Sequence, residues 1–228
     1  MAEAGEAGPV WIVARSQTAG RGRRGRDWIS PPGNLAATLL MTTHRPPAEA
    51  AQVTFVAALA AVGLLDAFAP PGVATIKWPN DVLLDGAKAA GILVESGPRA
   101  GGGLWLAVGV GVNLASRPGD TERPAAALAD HLRGDVAEAP GPETAATVLA
   151  EQFALWAGRW TTLGFAPVLA AWAARARGLD GPCVARLGRE TLSGTAEGVE
   201  PDGALRLRLA SGELRRIAAG DVFFGEAA

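Results

Sequence analysis

The stretch from Ala48 to Phe68 constrains the fold more than any other. It reads AEAAQVTFVAALAAVGLLDAF, apolar almost all round once past Gln52. A helix with no polar face is buried on every side, so a core helix is predicted here. Pro47 is well placed to open it, and Ala69-Pro-Pro-Gly72 ends it. Its longest apolar run, 53–65, meets Asp66 and Pro70 at once, which reads as too short to span a bilayer. A chain of 228 residues, 49% apolar and 19% charged, is a folded globular protein. It is long enough for one large domain or a domain with a small appendage.

Around that helix the sequence alternates strands and turns. Val10–Arg15 is a short strand candidate, and Leu35–Thr43 is a second, near-continuously apolar and so buried on both faces. Thr75–Trp78 is a third, followed by a bend at Pro79-Asn80-Asp81. Val82–Leu84 and Ala87–Ser96 flank Asp85-Gly86, the strongest short hairpin signal. Leu104–Asn113 is a buried strand broken by Gly109 and Gly111, a sign that something approaches its backbone closely. Helices are predicted over Pro124–Leu132, Pro142–Thr162 and Ala166–Arg177. Beyond Gly178 come short β-type runs, with strict alternation in Leu205–Leu209, which suit a small barrel. The expected architecture is α+β. A mixed β-sheet with flanking helices occupies residues 1–178, and a small β-barrel occupies 179–228.

Charge is distributed unevenly. Residues 16–30 carry Arg21, Arg23, Arg24 and Arg26 against Asp27, while the whole chain is −2. Gly20, Gly22 and Gly25 interleave with these arginines, and Trp28 closes the loop. Glycine lets backbone N–H groups approach phosphate oxygens, and guanidiniums add bidentate charge-assisted contacts. The same loop also fits a solvated basic segment or an RNA-binding arginine–glycine motif. No Gly-Lys-Ser/Thr follows, so the loop is not a Walker motif, which argues against a P-loop ATPase.

Three further clusters carry chemistry. Lys77-Trp-Pro-Asn-Asp81 sits at a strand end, where Asn80 and Asp81 either face a ligand or simply form the turn. Asp81 is a candidate Mg²⁺ ligand. Lys88 precedes a strand that Gly91 interrupts, and is either an exposed edge residue or a cation stabilising developing negative charge. Gly109-Val-Gly-Val-Asn113 offers bare backbone to an adenosine, with the Asn113 amide to hydrogen-bond it. Lys77 and Lys88 are the only lysines, and Asn34, Asn80 and Asn113 the only asparagines, in a chain whose arginine, alanine and glycine usage suggests coding bias. The survivors are candidates for positions where chemistry needs them, with chance as the alternative for any one of them.

Gln17-Thr-Ala-Gly-Arg-Gly-Arg-Arg-Gly-Arg-Asp-Trp28, Lys77-Trp-Pro-Asn-Asp81, Lys88-Ala-Ala-Gly-Ile-Leu-Val-Glu95 and Gly109-Val-Gly-Val-Asn113, in this order, resemble the biotin–protein ligases. The resemblance runs from residue 10 to about 225. It implies a fold related to class II aminoacyl-tRNA synthetases with an SH3-like C-terminal β-barrel. It also implies two-step chemistry. ATP and biotin give biotinyl-5′-AMP, and a lysine of the biotin carboxyl carrier protein of acetyl-CoA carboxylase then accepts the biotin. Under that resemblance Gln17, Gly20, Arg21, Gly91, Gly109 and Gly111 bind biotin. Arg23, Arg24, Arg26, Trp28, Lys77, Asn80 and Asn113 bind ATP or the adenylate, Asp81 serves Mg²⁺, and Arg23 and Lys88 are catalytic.

The family also places an Asp/Glu-Ser-Thr-Asn segment and a helix ahead of the strand at Val10, which this sequence does not contain. The expectation is a start assigned too late, with a deliberately shortened chain or a natural variant as alternatives. No helix-turn-helix precedes the strand either, so no DNA partner is expected. A pI near 5.8 argues against wholesale nucleic-acid or membrane-surface binding. One cysteine, Cys183, and no signal peptide point to the cytoplasm. The partner expected is the carrier protein, and the sequence leaves open whether the chain also pairs with itself as a homodimer. Competing readings are a lipoate-attachment enzyme, an RNA-binding protein, and a non-catalytic binder of biotin adenylate or of the carrier.

Overall fold

The computed structural model describes residues 6–119, 121 and 124–225. Its first part is a six-stranded sheet of β1 (Val10–Ala14), β2 (Leu35–Thr43), β3 (Ala74–Lys77), β4 (Asp81–Leu84), β5 (Ala87–Pro98) and β6 (Leu104–Val112), in the order β1-β2-β6-β5-β4-β3. A short helix α1 (Pro47–Ala50) and the core helix α2 (Val53–Asp66) join β2 to β3. Two more helices, α3 (Pro142–Leu163) and α4 (Ala166–Arg175), close this part.

Eleven of the 14 residues of α2 are buried, as its all-round apolarity requires. It packs on β3, β4, β5 and β6 from one side and against α3 and α4 from the other. The span Pro47–Asp66, α1 and α2 together, is long and apolar enough to cross a membrane by length and composition alone, but 67% of its most apolar window is buried inside the protein, as a core helix requires.

The sheet itself departs from expectation. Every ladder in it is antiparallel, not mixed. Among the described residues, parallel pairing appears only as isolated bridges, Ile76 to Ala176 and Lys88 to Ala125. Strands β3 to β6 follow one another through short turns, which permit only antiparallel neighbours. The long connection through α2 carries the chain from β2 to the far edge of the sheet. The Asp85-Gly86 turn has positive φ at both residues, 47° and 83°, as a two-residue hairpin of this kind needs.

Two other corrections follow from long-range hydrogen bonds and edge pairing. The helix expected over Pro124–Leu132 is not formed; Ala125 bridges to Lys88, and one 3-10 turn spans Leu128–Asp130. The backbone there is already committed, because Lys88 N–H donates to Pro124 C=O and Ala126 N–H donates to Lys88 C=O. The second sheet contains β7 (Gly181–Arg186), β8 (Thr191–Val199), β9 (Leu205–Leu209), β10 (Leu214–Ile217) and β11 (Asp221–Phe224), in the order β10-β9-β8-β7-β11. No ladder joins β10 to β11, so this sheet is open and not the expected SH3-like barrel. Alternation of side chains is common to open and closed sheets, and only edge-to-edge pairing makes a barrel.

The two sheets meet through α2 and the turn before β4. Trp78 is 3% exposed, and its indole N–H donates to Gly203 C=O at 2.9 Å. Gly203 sits against the Phe55 ring of α2, where a side chain at 203 would collide. Arg177 N–H adds a bond to Ile76 C=O.

Candidate active site

The helices cover one face of the six-stranded sheet, and the candidate site lies on the other. Residues alternate faces along a strand, and β6 uses that alternation fully. Val108, Val110 and Val112 are buried in the core, so Ala107, Gly109 and Gly111 present a bare strip to the opposite face. Gly111 pairs in register with Gly91 of β5 and Ala36 of β2, and Gly109 pairs with Leu93 and Thr38. These small residues floor a cavity of about 530 Å³, a size usual for a small-molecule site.

The Gly/Arg loop roofs it. Trp28 N–H bonds to Gly20 C=O, Gly22 N–H bonds to Arg26 C=O, and Arg21 bridges to Asp27, so the loop closes on itself. Arg24 and Gly25 take positive φ, 58° and 72°, at the tip. The Trp28 indole lies on the bare backbone of the floor. A Cβ at Gly111 would overlap its ring, and one at Gly91 would stand 3.2 Å from it. The close approach that the strand glycines foreshadow is made at Gly111, within the chain, by Trp28; at Gly109 the nearest atoms belong to Leu93 and Thr38 of the neighbouring strands.

The side wall carries the charges. Lys88 Nζ stands 2.6 Å from Asp81 Oδ1 and 5.6 Å from the centre of the Trp28 ring. A register shift between Val82 and Leu83 aligns Leu83 with Lys88 and Asp81 with Gly91. Asn80 Nδ2 donates to Ile92 C=O at 2.7 Å, and its Oδ1 accepts from the Arg23 guanidinium at 2.9 Å. Asn113, 3% exposed, donates through Nδ2 to Ala126 C=O at 3.1 Å and Lys88 C=O at 3.5 Å.

The expected site residues thus largely converge. Gln17, Arg21, Arg23, Arg26 and Trp28 line the cavity from the loop. Asn80, Asp81, Lys88, Gly91, Gly109, Gly111 and Asn113 line it from the sheet. Three do not line it. Gly20 is buried beneath the loop against Trp28 C=O, and Arg24 turns toward the second sheet. Lys77 faces a smaller cleft of about 160 Å³, shared with Asp81, Lys88 and Phe223, its ammonium 5.6 Å from the Phe223 ring.

The loop arginines are oriented by protein partners, unlike a freely solvated basic loop. Arg21 pairs with Glu95 at 3.3 Å, and Arg24 and Arg26 share Asp221 at 3.0 and 2.8 Å. Burial is the main reason that the Arg23 pKa falls below its usual value; Asp221 and Asp81 oppose that fall. Burial also pushes the Asp221 carboxyl up, but the hydrogen bond from Arg24 and the charges of Arg26, Arg24 and Arg23 outweigh it and hold it below the usual carboxylate value.

One partner went unmarked in the sequence, and a second was marked by its rarity alone. Asp221 lies far down the chain with no local signature. Asn34 is 2% exposed and accepts from the N–H groups of Leu114, Ala115 and Ser116 at 3.0–3.1 Å. It also donates to Ser116 C=O, fixing the turn after β6; its rarity was the signal. Cys183 is buried, its thiol pushed up to about 11 mainly by that burial, so it is no nucleophile at neutral pH.

A glycine floor, an arginine roof and a lysine wall make a cavity with room for a small flat or apolar moiety and cations placed to face an anion beside it. Comparison with known proteins gives that kind of site its family. Residues 5–113 match the Biotin/lipoate A/B protein ligase family, and residues 175–225 match the Biotin protein ligase C terminal domain. A biotin–[acetyl-CoA-carboxylase] ligase of Paracoccus denitrificans is 46% identical over 225 residues, covering 97% of this chain and 92% of its own length. A biotin protein ligase of Aquifex aeolicus, solved with biotin and ATP, aligns with a TM-score of 0.80 at 21% identity, covering 94% of this chain and 89% of that one. One from Leishmania major with biotin aligns at 0.63 and 26% identity, covering 95% and 90%. The chain belongs to the biotin–protein ligase family.

Proposed function

We propose that this chain joins biotin to ATP in the cavity beneath the Gly/Arg loop and passes the biotin to a carrier protein. It is an ATP-dependent biotin ligase, and the carrier domain of acetyl-CoA carboxylase is the acceptor. In the first step a biotin carboxylate oxygen attacks the α-phosphorus, the bond to the β-phosphate oxygen breaks, and pyrophosphate leaves. In the second a neutral lysine amine of the carrier attacks the acyl carbon. An amide forms, AMP leaves, and the amine loses a proton. The convergence of Lys88 and Arg23 beside a glycine floor carries the reading.

Neither step needs a covalent enzyme nucleophile, so orientation and charge supply the rate. Lys88 is assigned to the reacting carboxyl–phosphate centre and Arg23 to the phosphate, with Asn80 holding its fork. Gln17, Gly20, Arg21, Gly91, Gly109 and Gly111 form the biotin side. Arg24, Arg26, Trp28, Lys77 and Asn113 serve the nucleotide side. The Asn113 amide nitrogen already bonds to backbone, which leaves its carbonyl oxygen for the adenine amino group.

Mg²⁺ enters with ATP. Among the described residues no group of three His, Cys, Asp or Glu is placed to hold a metal. A single carboxylate, Asp81, suits an ion carried on phosphates, which takes only one or two carboxylates from a protein. Bound there, the ion would neutralise phosphate charge. A cytoplasmic setting belongs to the same proposal, since the single thiol Cys183 is free.

Exchange of labelled pyrophosphate into ATP tests the reading. Exchange that depends on biotin and is not supported by lipoate is the expected result. No exchange with either acid overturns the ligase reading, and exchange with lipoate alone moves the chain to the lipoate branch.

A further inference from the structure

The catalytic loop is held in place by the second sheet. Gly220 and Asp221, at the start of β11, take the three guanidiniums of Arg23, Arg24 and Arg26 at the loop tip. Arg23 Nη2 reaches Gly220 C=O at 3.5 Å, Arg24 Nη1 reaches Asp221 Oδ2 at 3.0 Å, and Arg26 Nη2 reaches Asp221 Oδ1 at 2.8 Å. Arg24 Nη1 also reaches Arg186 C=O at 3.3 Å. Each carboxylate oxygen of Asp221 thus holds a different arginine, some 195 residues away in sequence. The Asp221 side chain is only 19% exposed, whereas Arg24 and Arg26 are 41% and 51% exposed.

Clustered guanidiniums repel one another, and the loop's own backbone bonds do not offset that. One carboxylate against Arg24 and Arg26 offsets that repulsion and holds both guanidiniums toward the second sheet, while Arg26 still lines the cavity. Arg23 is then the tip arginine left between Asn80 on the cavity wall and Gly220 on the second sheet.

We propose that Asp221 is a positioning residue for biotin activation, a cross-sheet clasp that binds Arg24 and Arg26 and thereby presents Arg23 to the transferring phosphate. The proposal rests on the ligase reading above and extends it to the second sheet. Arg24 and Arg26 then act on the nucleotide through loop placement, and the second sheet becomes part of the active site's geometry without lining the cavity.

Asp221→Asn keeps the shape and removes the charge. It is expected to lower kcat for biotin-dependent pyrophosphate exchange about tenfold, the order expected from misplacing a catalytic group. The KM for biotin should stay within about twofold, since that side of the cavity is untouched. Asp221→Glu should recover most of the rate, and its thermal unfolding should match that of the parent. In an Arg24→Ala/Arg26→Ala background, Asp221→Asn should cause no further loss. Trypsin, which cuts after arginine, should nick the ligand-free loop faster in Asp221→Asn than in the parent.

A parent-like kcat in Asp221→Asn, or a loss that multiplies with the double arginine variant, would overturn the positioning role. An unchanged tryptic rate would overturn the clasp itself. The tryptic arm requires no catalysis, so absence of exchange in the parent would fault the ligase reading while the clasp is still judged on its own.

Discussion

The two sides of the cavity are built by different forces. The sheet side is fixed by ladders. Lys88 is clamped through its own N–H and C=O to the 124–126 segment, and Gly109 and Gly111 are held in register on both edges by β2 and β5. The loop side has few backbone bonds and depends on ion pairs that reach another sheet. A ladder in a buried sheet is insensitive to salt, whereas a partly exposed ion pair is not. The sheet side is therefore a preformed template, and the loop side is adjustable. A ligase that must admit two substrates, seal an acyl-adenylate and then admit a carrier lysine needs one side of each kind.

The largest effect is expected where the template meets the chemistry. Lys88→Ala should lower the adenylation rate by about 10²-fold or more, since in the role proposed for it a fixed cation is lost from developing negative charge. Arg23→Gly should match it from the loop side. Single-turnover formation of biotinyl-5′-AMP measures both; near-parent rates in either would remove that residue from the catalytic centre.

A smaller loss, about tenfold, is expected from Gly111→Ala, because displacing one wall of the cavity misaligns the substrates without removing a charge. The new Cβ would occupy the seat of the Trp28 indole and lift the loop from the floor. Steady-state exchange kinetics give the size of the loss, and parent-like kinetics would mean that Trp28 contributes nothing to the geometry.

Those two sides were not equally legible in the sequence. The loop, the Lys77–Asp81 cluster and the Gly109–Asn113 strand are local patterns, and their convergence follows from a sheet whose strands were mostly placed correctly. What escaped was non-local. Asp221 carries no signature that ties it to Arg24. The Pro124–Leu132 segment has helical composition, but Lys88 and Asn113 claim its backbone. The barrel failed as an expectation because alternation along a strand does not encode which edges pair. The rarity of asparagine was informative in an unexpected way. Asn34, Asn80 and Asn113 each clamp backbone groups through both or one end of the amide, a geometry that few other side chains reproduce.

Ionic strength separates the two sides without mutation. Raising salt from about 0.05 M to about 0.5 M shortens the screening length several-fold. Tryptic nicking of the ligand-free loop should then rise by about threefold, the order expected for weakening partly exposed pairs. Hydrogen exchange of the Lys88, Gly109 and Gly111 amides should not change. If both sides loosen together, the template and the loop form one cooperative unit.

The smallest effect is expected at Cys183, which belongs to neither side. Its thiol packs in the second sheet at 1% exposure, opposite Phe224 in the β7–β11 ladder. Burial favours the protonated form and moves its titration up to about 11. A thiol raised in the folded state keeps its full contribution to stability below its ordinary pKa and loses it as pH rises toward about 11. Alkylation of the native protein near pH 8 should therefore be slow, and stability should decline only in the alkaline range between those two values. Cys183→Ala should abolish the alkaline decline that this group contributes and leave biotin-dependent exchange at the parental rate. Rapid native-state labelling near neutral pH would place the thiol at the surface, and with it the packing of the second sheet beneath the clasp would have to be redrawn.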